Sequence, residues 1–316
     1  EISACLVGSE MCIRDSVQIV EIDAPIAGEG QVLVEVRASS INPFDKTIRE
    51  GYMKDAIPLE LPVTLGGDIA GDVIEVGDGV DGFAVGDKVY GQANVVAGNS
   101  GAFAEFAAAK AGGLATMPSN LDYLEAASLP LVGVSALQAL TEHINLQPDQ
   151  KLFIHGGGGG IGSIAIQIAK NIGAYVATTA TGEQIDMVKK LRADEVIDFM
   201  SEDFSTKLSG FDAVFDTVGG DEFVSTFGIL KSGGTAVSMI ASPDEAKATE
   251  LGITALMQQT HVNTDRLNSL RRLIEDGIVA PQVDKVFSLD DIQAAFKAKE
   301  EGTVKGKVVL QISDAA

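Results

Sequence analysis

Short segments in which apolar and polar residues alternate dominate the first third of the chain. Residues 31–36 (QVLVEV) alternate with a period of two, which is typical of a half-buried strand. Similar strand patterns follow at residues 69–76, 86–90 and 101–106, separated by turns rich in Gly, Asp and Pro. We therefore predict a β-rich domain with irregular loops from Val17 to about Lys110.

Helix and strand patterns alternate from about Leu121 onward. Asp122 is expected to cap a helix over residues 123–128, which Pro130 ends, and a second helix is expected over residues 134–143. Strands are predicted at Lys151–His155, 175–179, Glu195–Asp198, Phe211–Asp216 and 235–240, and helices at 161–171 and 183–191. This alternation is typical of βαβ units, which form a parallel sheet with helices on both faces.

The end of the chain returns to strand character. A stripe of leucine and isoleucine predicts a helix over residues 267–276, and residues 304–312 predict a last strand that has no βαβ partner. We therefore assign the tail to the first domain. The predicted boundaries are residues 1–124 for the first domain, 125–265 for the second, and 266–316 for the return to the first.

Residues 1–16 lack clear strand patterning. They hold both cysteines of the chain, Cys5 and Cys12, and their apolar piece is too short for the core of a signal peptide. We interpret this segment as foreign to the native protein, since it resembles a read-through from a cloning adaptor. The alternative is a weakly patterned first strand, and no function is assigned to either cysteine.

Composition narrows the possible functions. The 316 residues include 45 Asp and Glu against 23 Lys and Arg, which gives a formal charge of −22. Such a surface repels phosphate backbones and anionic lipids, and no apolar run approaches the ~18 residues that span a bilayer. Two cysteines form neither a disulfide framework nor a Cys₄ zinc site, and no HxxxH or CxxC spacing occurs. We therefore expect a cytoplasmic enzyme with a small-molecule substrate, no metal site and no nucleic-acid or membrane partner.

The strongest chemical signal is a glycine-rich turn after a buried strand. Gly157, Gly159 and Gly162 form a G-x-G-x-x-G motif directly before an apolar helix. In such a motif the first glycine permits the tight turn, the second lets a pyrophosphate approach, and the third lets the helix pack on the strand. The N–H groups of Gly160 and Ile161 lie at the helix start, where phosphates bind. We predict a dinucleotide site, with a purely structural turn as the alternative.

The end of the following strand indicates which cofactor is bound. NAD sites have Asp or Glu there, about 20 residues on, to hold the ribose 2′-hydroxyl. This chain has the stretch TTATG at 178–182, so that Thr179 and Thr181 leave room for a 2′-phosphate. This favours NADPH. The alternative is NADH, because no Lys or Arg lies in the loop and Glu183 is close enough to supply the acid.

A series of short motifs extends along nearly the whole chain, from Val17 to Ile312. They are residues 41–46, 48–51, 65–71, 85–90, 101–106, 155–170, 193–198, 215–220 and 306–310. In this order they resemble the medium-chain dehydrogenase/reductase superfamily, in its zinc-independent quinone oxidoreductase (zeta-crystallin-like) branch. The resemblance implies an α/β fold in which a GroES-like catalytic domain, formed by both chain ends, flanks a doubly wound Rossmann domain. It also implies an active site in the cleft and a homodimer, often formed through the edge strand of the nucleotide domain.

The resemblance also bears on zinc. Zinc alcohol dehydrogenases of this superfamily carry a Cys near Asn42 and a His-Glu pair where Gly67 and Asp68 stand, and this chain has neither. It therefore implies catalysis without zinc. Arg192 takes a place that Gly usually holds, and Ser135 stands where the family often has Thr beside the nicotinamide.

Candidate catalytic residues follow the first predicted strand. The resemblance implies that Asn42 lies near the nicotinamide, where its amide can donate to a developing oxyanion; the alternative is an Asn that caps a turn. Lys46 is expected either to stabilise enolate charge or to pair with Asp45 at the surface. Tyr52 is expected to donate a hydrogen bond or to line the pocket.

On the cofactor side, Val218 and Gly219 follow a strand whose carboxyl end is expected to border the nicotinamide. Asp216 just before them is either part of that site or a turn residue. His155 ends a buried strand and is expected to be structural rather than a catalytic base.

Together these residues predict an NADPH-dependent oxidoreductase that transfers hydride to a quinone or an α,β-unsaturated carbonyl. Without a metal, such an enzyme relies on positioning and hydrogen bonds, and a conjugated acceptor delocalises the charge it gains. Two alternatives stay open. One is a 2-enoyl-thioester reductase, which needs a pocket for a long acyl carrier. The other is a non-catalytic NADPH-binding protein with a structural or sensing role.

Overall fold

The computed structural model describes residues 2–7, 17–52, 59–302 and 304–313. Within them the chain divides into two compact units. Unit 1 comprises Glu1–Leu131, Val262–Glu275 and Val283–Ala316, and unit 2 comprises Val132–His261 and Asp276–Gln282. Unit 1 therefore takes segments from both sides of unit 2 in the sequence.

Unit 1 is built mainly from β-strands. Its strands are β1 (Ile2–Val7), β2 (Val17–Ile22), β3 (Gln31–Ser40), β4 (Val63–Thr64), β5 (Asp68–Val76), β6 (Lys88–Gln92), β7 (Phe106–Lys110), β8 (Leu114–Thr116), β15 (Val283–Ser288) and β16 (Lys307–Gln311). Its helices are α1 (Pro43–Arg49), α2 (Tyr123–Ala127), α9 (Thr264–Glu275) and α10 (Ile292–Glu300). One sheet has the order β15-β16-β3-β5-β6-β8, with β7 also paired to β3, and β1, β2 and β4 form a second sheet.

The register of β3 decides where the polar residues of unit 1 meet. Val32, Val34 and Val36 alternate on the buried face of β3, as the sequence pattern predicts. At the other end of this strand, Ser40 is paired with Asp68 of β5 on one side and with Val309 of β16 on the other. The end of β3 and the start of β5 therefore lie side by side with β16, next to the start of α1.

Unit 2 is a parallel sheet with intervening helices, which confirms the fold class predicted from the sequence. Its strands are β9 (Lys151–His155), β10 (Tyr175–Ala180), β11 (Glu195–Asp198), β12 (Phe211–Asp216), β13 (Leu230–Ser238) and β14 (Thr254–Met257). Its helices are α3 (Pro130–Gln138), α4 (Gly160–Ile172), α5 (Gln184–Lys190), α6 (Phe204–Lys207), α7 (Asp221–Ser225) and α8 (Glu245–Leu251). The strand order is β11-β10-β9-β12-β13-β14, with all pairings parallel.

Three expectations about local structure are wrong. Residues 101–105 are not a strand: Gly101 takes a φ of +95°, Ala104 forms one isolated bridge with Ala4, and the strand begins at Phe106. Pro130 starts α3 rather than merely ending α2, because its fixed φ suits the first residue of a helix. This helix therefore begins four residues earlier than expected, and it continues as a π-helical turn over Ala139–His143.

The first residues also differ from expectation, since strand structure begins before Val17. β1 pairs along its length with β2, and Cys5 is fully buried. Residues 2–7 thus agree with the alternative of a weakly patterned first strand, while residues 8–16, including Cys12, lie outside the described residues. No helix in the described ranges is both long enough and apolar enough to cross a membrane.

Candidate functional site

The glycine-rich turn of unit 2 follows β9 in the middle of the parallel sheet. The chain proceeds from β9 through α4 to β10 on one side, while β12 pairs with β9 on the other side. In doubly wound sheets the ligand lies outside the carboxyl ends of the strands, at this reversal of strand order. The predicted dinucleotide turn therefore lies where such a fold binds its ligand.

Two glycines of this turn leave no room for a side chain. A Cβ on Gly157 would overlap the Thr178 hydroxyl, and a Cβ on Gly162 would lie 2.7 Å from the Gly157 Cα and overlap the Gly156 carbonyl. The helix that follows begins at Gly160, and its first N–H groups have no partner within the helix. A tight backbone turn with free N–H groups fits the pyrophosphate of a dinucleotide.

Two threonines at the end of β10 hold the turn in place. Thr179 Oγ1 accepts a hydrogen bond from the Gly156 N–H at 2.9 Å, and the Thr179 carbonyl accepts one from the Gly157 N–H at 3.0 Å. Thr178 is fully buried and donates to a carbonyl of β9 at 2.7 Å. The predicted cofactor residue Thr179 therefore shapes the turn, whereas Thr181 lies half-buried in the loop before α5.

A second turn lies at the same edge of the sheet, after β12. Asp216 is fully buried and accepts hydrogen bonds from the Ser238 hydroxyl at 2.6 Å and from the N–H groups of Val218 and Gly219 at 3.1 Å. Gly219 has a φ of +79°, which favours glycine. The Val218 side chain is 46% exposed. Asp216 thus organises the turn that presents both predicted cofactor residues.

Ser135 lies on α3 and is fully buried. Its hydroxyl lies 2.7 Å from that of Thr260, just beyond the end of β14, and its carbonyl accepts a hydrogen bond from Gln258 Nε2 at 3.0 Å. These contacts join α3 to the carboxyl edge of the sheet, the edge that carries the two turns.

His155 is packed as the sequence analysis expected of a structural residue. It is 3% exposed, and its ring makes edge-on contacts with Phe153 and Phe204. Its Nε2 lies 3.1 Å from a carboxylate oxygen of Glu222. Burial lowers the pKa of His155, and the charges of Asp216 and Glu222 oppose that decrease.

Unit 1 contains a separate, buried polar cluster around Asn42. This residue immediately precedes α1 and is 2% exposed. Its backbone N–H donates to the Asp45 carboxylate at 2.7 Å, and its Nδ2 donates to Asp68 Oδ2 at 2.9 Å. Burial raises the pKa of Asp45 to about 7, although the hydrogen bond from Asn42 acts in the opposite direction.

Asp68, the first residue of β5, is the main acceptor of this cluster. Its Oδ2 also accepts from the Ser40 hydroxyl at 3.2 Å, and its Oδ1 accepts from Gln92 Nε2 and the Leu131 N–H, both at 3.1 Å. The side chain is fully buried. Its charge is therefore compensated by donors from four different places in the chain, namely Ser40, Asn42, Gln92 and Leu131.

Lys307 brings a buried positive charge to the same cluster. Its ammonium donates to Asn42 Oδ1 at 2.6 Å and to the Ile41 carbonyl at 3.1 Å, and it lies 3.7 Å from Asp68 Oδ2. Lys307 is 4% exposed. Burial lowers its pKa to about 8, with the charge of Asp68 opposing the decrease.

Lys46 and Tyr52 lie at the surface rather than in the cluster. The Lys46 ammonium is 3.9 Å from carboxylate oxygens of Glu50 and Glu300, so the expected alternative, a surface pair with Asp45, is wrong because that carboxylate points inward. Tyr52 is 70% exposed and hydrogen-bonds Glu50. Neither side chain contributes a hydrogen bond to the Asn42 cluster among the described contacts.

The cluster does not suit a zinc ion. Zinc in proteins is bound by Cys, His and carboxylate ligands, whereas Asn42, Asp68 and Lys307 offer an amide, an already saturated carboxylate and an ammonium. A fixed ammonium next to the carboxylate also repels a divalent cation. Across the described part of the chain, no group of three or more His, Cys, Asp and Glu is arranged to hold a metal ion.

Three residues of these sites received no role from the sequence. Asp216 was left open between a site residue and a turn residue, Asp68 was named only as a position where zinc enzymes carry another residue, and Lys307 appeared only within a matching stretch. Lys307 directly precedes a run of apolar residues in a buried strand, and this pattern indicates a buried lysine. Because a buried lysine almost always has a partner, the pattern could have identified Lys307 as part of a polar cluster. Its partners lie 239 to 266 residues away along the chain and could not be assigned by local patterns.

Two family models match this chain. The model for the alcohol dehydrogenase GroES-like domain matches residues 28–119, and the model for zinc-binding dehydrogenase matches residues 191–310.

Relatives and solved structures match most of the chain. The 2-methylene-furan-3-one reductase of Solanum lycopersicum is 33% identical over 308 residues, covering 93% of this chain and 76% of the relative. The chloroplastic NADPH-dependent alkenal/one oxidoreductase of Arabidopsis thaliana is 33% identical over 298 residues, covering 92% and 74%. The structure of the quinone oxidoreductase from Coxiella burnetii is 30% identical, covers 99% of each chain and superposes with a TM-score of 0.89.

Proposed function

Because this chain belongs to the quinone oxidoreductases of the medium-chain dehydrogenase/reductase superfamily, we propose that it is an NADPH-dependent oxidoreductase that reduces quinones or α,β-unsaturated carbonyls without zinc. The glycine turn after β9 carries this proposal, because its backbone leaves no space for side chains at Gly157 and Gly162. The relatives named as alkenal/one and furanone reductases support the class of acceptor.

Unit 2 is proposed to hold the cofactor. The N–H groups of Gly160, Ile161 and Gly162 face the pyrophosphate, with Gly157 and Gly159 allowing its approach. Thr179 and Thr181 border the 2′-phosphate of the adenosine ribose. Ser135, Val218 and Gly219 border the nicotinamide, supported by their common location at the carboxyl edge of the sheet.

Unit 1 is proposed to act on the acceptor. Bound NADPH supplies two electrons and one hydrogen as hydride, which adds to the acceptor, and solvent supplies the proton that completes the reduction. Negative charge develops on the acceptor's carbonyl oxygen, and the Asn42 amide donates a hydrogen bond to it. The fixed contacts of this amide with Asp68 and Lys307 support the assignment, because a donor held in place needs no reorganisation during the reaction.

Lys46 and Tyr52 are proposed to contact the acceptor from the surface. Both side chains are exposed and both pair with Glu50 near the end of α1. Lys46 adds positive charge beside the developing enolate, and Tyr52 donates a hydrogen bond or provides an apolar wall.

Independence from zinc is proposed from the donor set of the Asn42 cluster. The Lys307 ammonium lies 3.7 Å from Asp68, the one carboxylate at a position that the zinc enzymes use. We propose further that the protein is a homodimer, with the exposed edge strand β14 as contact, and that it works in the reducing cytoplasm, as its two cysteines suggest. Light scattering in solution and localisation of a tagged copy test these two points.

The enzymatic proposal is tested by NADPH oxidation. The protein is assayed with 1,4-benzoquinones, 2-alkenals, a 2-enoyl thioester and a saturated ketone, each with and without a zinc chelator. We expect turnover of the quinones or alkenals that the chelator does not change, and no turnover of the saturated ketone. Turnover restricted to the thioester would favour an enoyl-thioester reductase. NADPH binding without any turnover would favour a sensing protein, and loss of activity with the chelator would refute the zinc-independent proposal.

A further inference from the structure

A buried lysine of unit 1 is not explained by the proposed function. Lys307 begins β16, which lies beside β3, and its ammonium is enclosed by Asn42, Asp68 and the Ile41 carbonyl. Burying an ammonium is costly, so a chain that does so gains something from the charge at that place. The three hydrogens of the ammonium are accounted for by Asn42 Oδ1, the Ile41 carbonyl and Asp68, so a direct contact with the acceptor does not explain this lysine.

We propose that Lys307 is a positioning residue for the reduction, whose ammonium fixes and polarises the Asn42 amide that faces the acceptor. This inference rests on the proposed function of Asn42 as the hydrogen-bond donor.

The contacts of Asn42 define which way its amide is turned. An ammonium can only donate, so the amide atom 2.6 Å from Lys307 Nζ is the oxygen. A carboxylate can only accept, so the amide atom 2.9 Å from Asp68 Oδ2 is the nitrogen. Lys307 binds the oxygen of the amide and Asp68 binds its nitrogen, so together they select one of the two amide orientations. The reverse orientation would place the NH₂ group against the ammonium and the amide oxygen against the carboxylate.

The selected orientation leaves one hydrogen of Asn42 Nδ2 weakly held. The first hydrogen binds Asp68, while the second faces the Ser40 carbonyl at 3.5 Å, the upper limit for a hydrogen bond. A carbonyl oxygen that gains negative charge is a stronger acceptor than a backbone carbonyl at that distance. The hydrogen bond from Lys307 to the amide oxygen also strengthens the amide N–H as a donor, because hydrogen bonds in a chain polarise one another.

Charge gives Lys307 a second effect in the same direction. Two carboxylates, Asp68 and Asp45, lie in the cluster, and Lys299 of α10 adds a more distant positive charge. Without the Lys307 ammonium, Asp68 and, above about pH 7, the Asp45 carboxylate would oppose negative charge on a nearby acceptor. With it, one of these negative charges is compensated inside the cluster itself.

The test compares Lys307→Met, which removes the charge, with Lys307→Arg, which keeps it. Lys170→Met is the matched control, because it removes an ammonium paired with Asp194 at 2.6 Å in unit 2. NADPH affinity and thermal unfolding are measured first, so that only folded variants are compared. With a 2-alkenal, we expect Lys307→Met to lower kcat about 10- to 100-fold with little change in KM, since loss of a direct oxyanion donor costs about 10²- to 10³-fold. Lys307→Arg should recover most of kcat, and Lys170→Met should match the wild type.

The pH dependence separates positioning from a merely structural role. Asp68, Asp45 and Lys299 face Lys307, and burial lowers the pKa of this lysine to about 8. The kcat of the wild type should therefore fall as the pH rises through about 8, and Lys307→Arg should move that fall to higher pH. A kcat of Lys307→Met equal to that of the wild type, or an unchanged basic limb in Lys307→Arg, would overturn the inference.

A measurement without substrate keeps the inference testable if these variants do not fold or if no acceptor is reduced. In protein labelled with ¹⁵N-asparagine, the side-chain amide resonance of Asn42 is identified by its loss in Asn42→Ala. We expect this resonance to shift as the wild type is titrated through about pH 8. Absence of turnover in the wild type would refute the proposed function alone, whereas an amide resonance that does not respond to the titration would refute the role of Lys307.

Discussion

Gly162→Ala tests the dinucleotide turn at a point where backbone atoms crowd an added Cβ. The added Cβ would lie 2.7 Å from the Gly157 Cα and 2.9 Å from the Gly156 carbonyl carbon, whereas ordinary contacts begin near 3.4 Å. The Gly156 carbonyl oxygen lies closer still, and all these neighbours are backbone atoms, so the turn and the start of α4 must separate by more than about 0.7 Å. Overpacking of this kind costs about 1–3 kcal/mol of stability. Because the same N–H groups are proposed to hold the pyrophosphate, the Kd for NADPH should rise about 10- to 100-fold, or about 1.4–2.8 kcal/mol.

Gly228→Ala is the matched control in the same unit, because no heavy atom lies within 4 Å of its added Cβ. Fluorescence titration with NADPH and urea unfolding measure both variants beside the wild type. Gly228→Ala should bind NADPH normally and stay within about 0.5 kcal/mol of wild-type stability. If Gly162→Ala binds NADPH as tightly as Gly228→Ala does, the turn is not the pyrophosphate site and the reasoning fails.

Three further predictions concern single residues. Asn42→Ala should lower kcat about 10²- to 10³-fold in steady-state assays while the Kd for NADPH stays nearly unchanged; lower stability with an unchanged kcat would favour a purely capping role. Asp45 has its pKa raised by burial from 3.8 to about 7, so the folded state binds more protons than the unfolded state between these values. The free energy of unfolding should therefore decrease as the pH rises from about 4 to 7, and urea unfolding of Asp45→Asn should lack that decrease. Arg192 is exposed with a φ of +71°, so Arg192→Gly should raise the free energy of unfolding by about 0.5–1 kcal/mol and Arg192→Ala should not.

Local patterns located five of the six strands of unit 2, together with α4 and α5, but they gave neither β14 nor α6, α7 and α8. Each βαβ unit is written in consecutive residues, so periodicity identified the strand before the glycine turn and the helix after it. The same patterns failed at residues 101–105, where Gly101 has a left-handed φ and Ala104 pairs with β1, a strand that the sequence did not reveal. The patterns also failed at Pro130. A proline ends a preceding helix, but it is equally suited to the first position of the next one, so its presence does not show where the next helix begins.

The cluster of unit 1 could not be derived in this way. Asn42 and Lys307 are 265 positions apart, and their contact depends on β16 lying next to β3 in the sheet. Sequence patterns predict that both segments are strands, but they do not give the order of strands in a mixed sheet. The resemblance to a family supplied Asn42 as a candidate, yet it gave no partner for its amide.

From the sequence, Asn42 has two alternative roles, a residue that caps a turn and a donor to the acceptor. In the structure these roles use different atoms. Its backbone N–H binds Asp45 at the start of α1, which anchors the chain there, while its side-chain amide binds Asp68 and Lys307. Because the backbone is held by the helix start, the amide has little freedom except rotation about its own side-chain bonds, and the two charged partners remove that rotation. The capping position therefore supports the proposed catalytic role instead of competing with it.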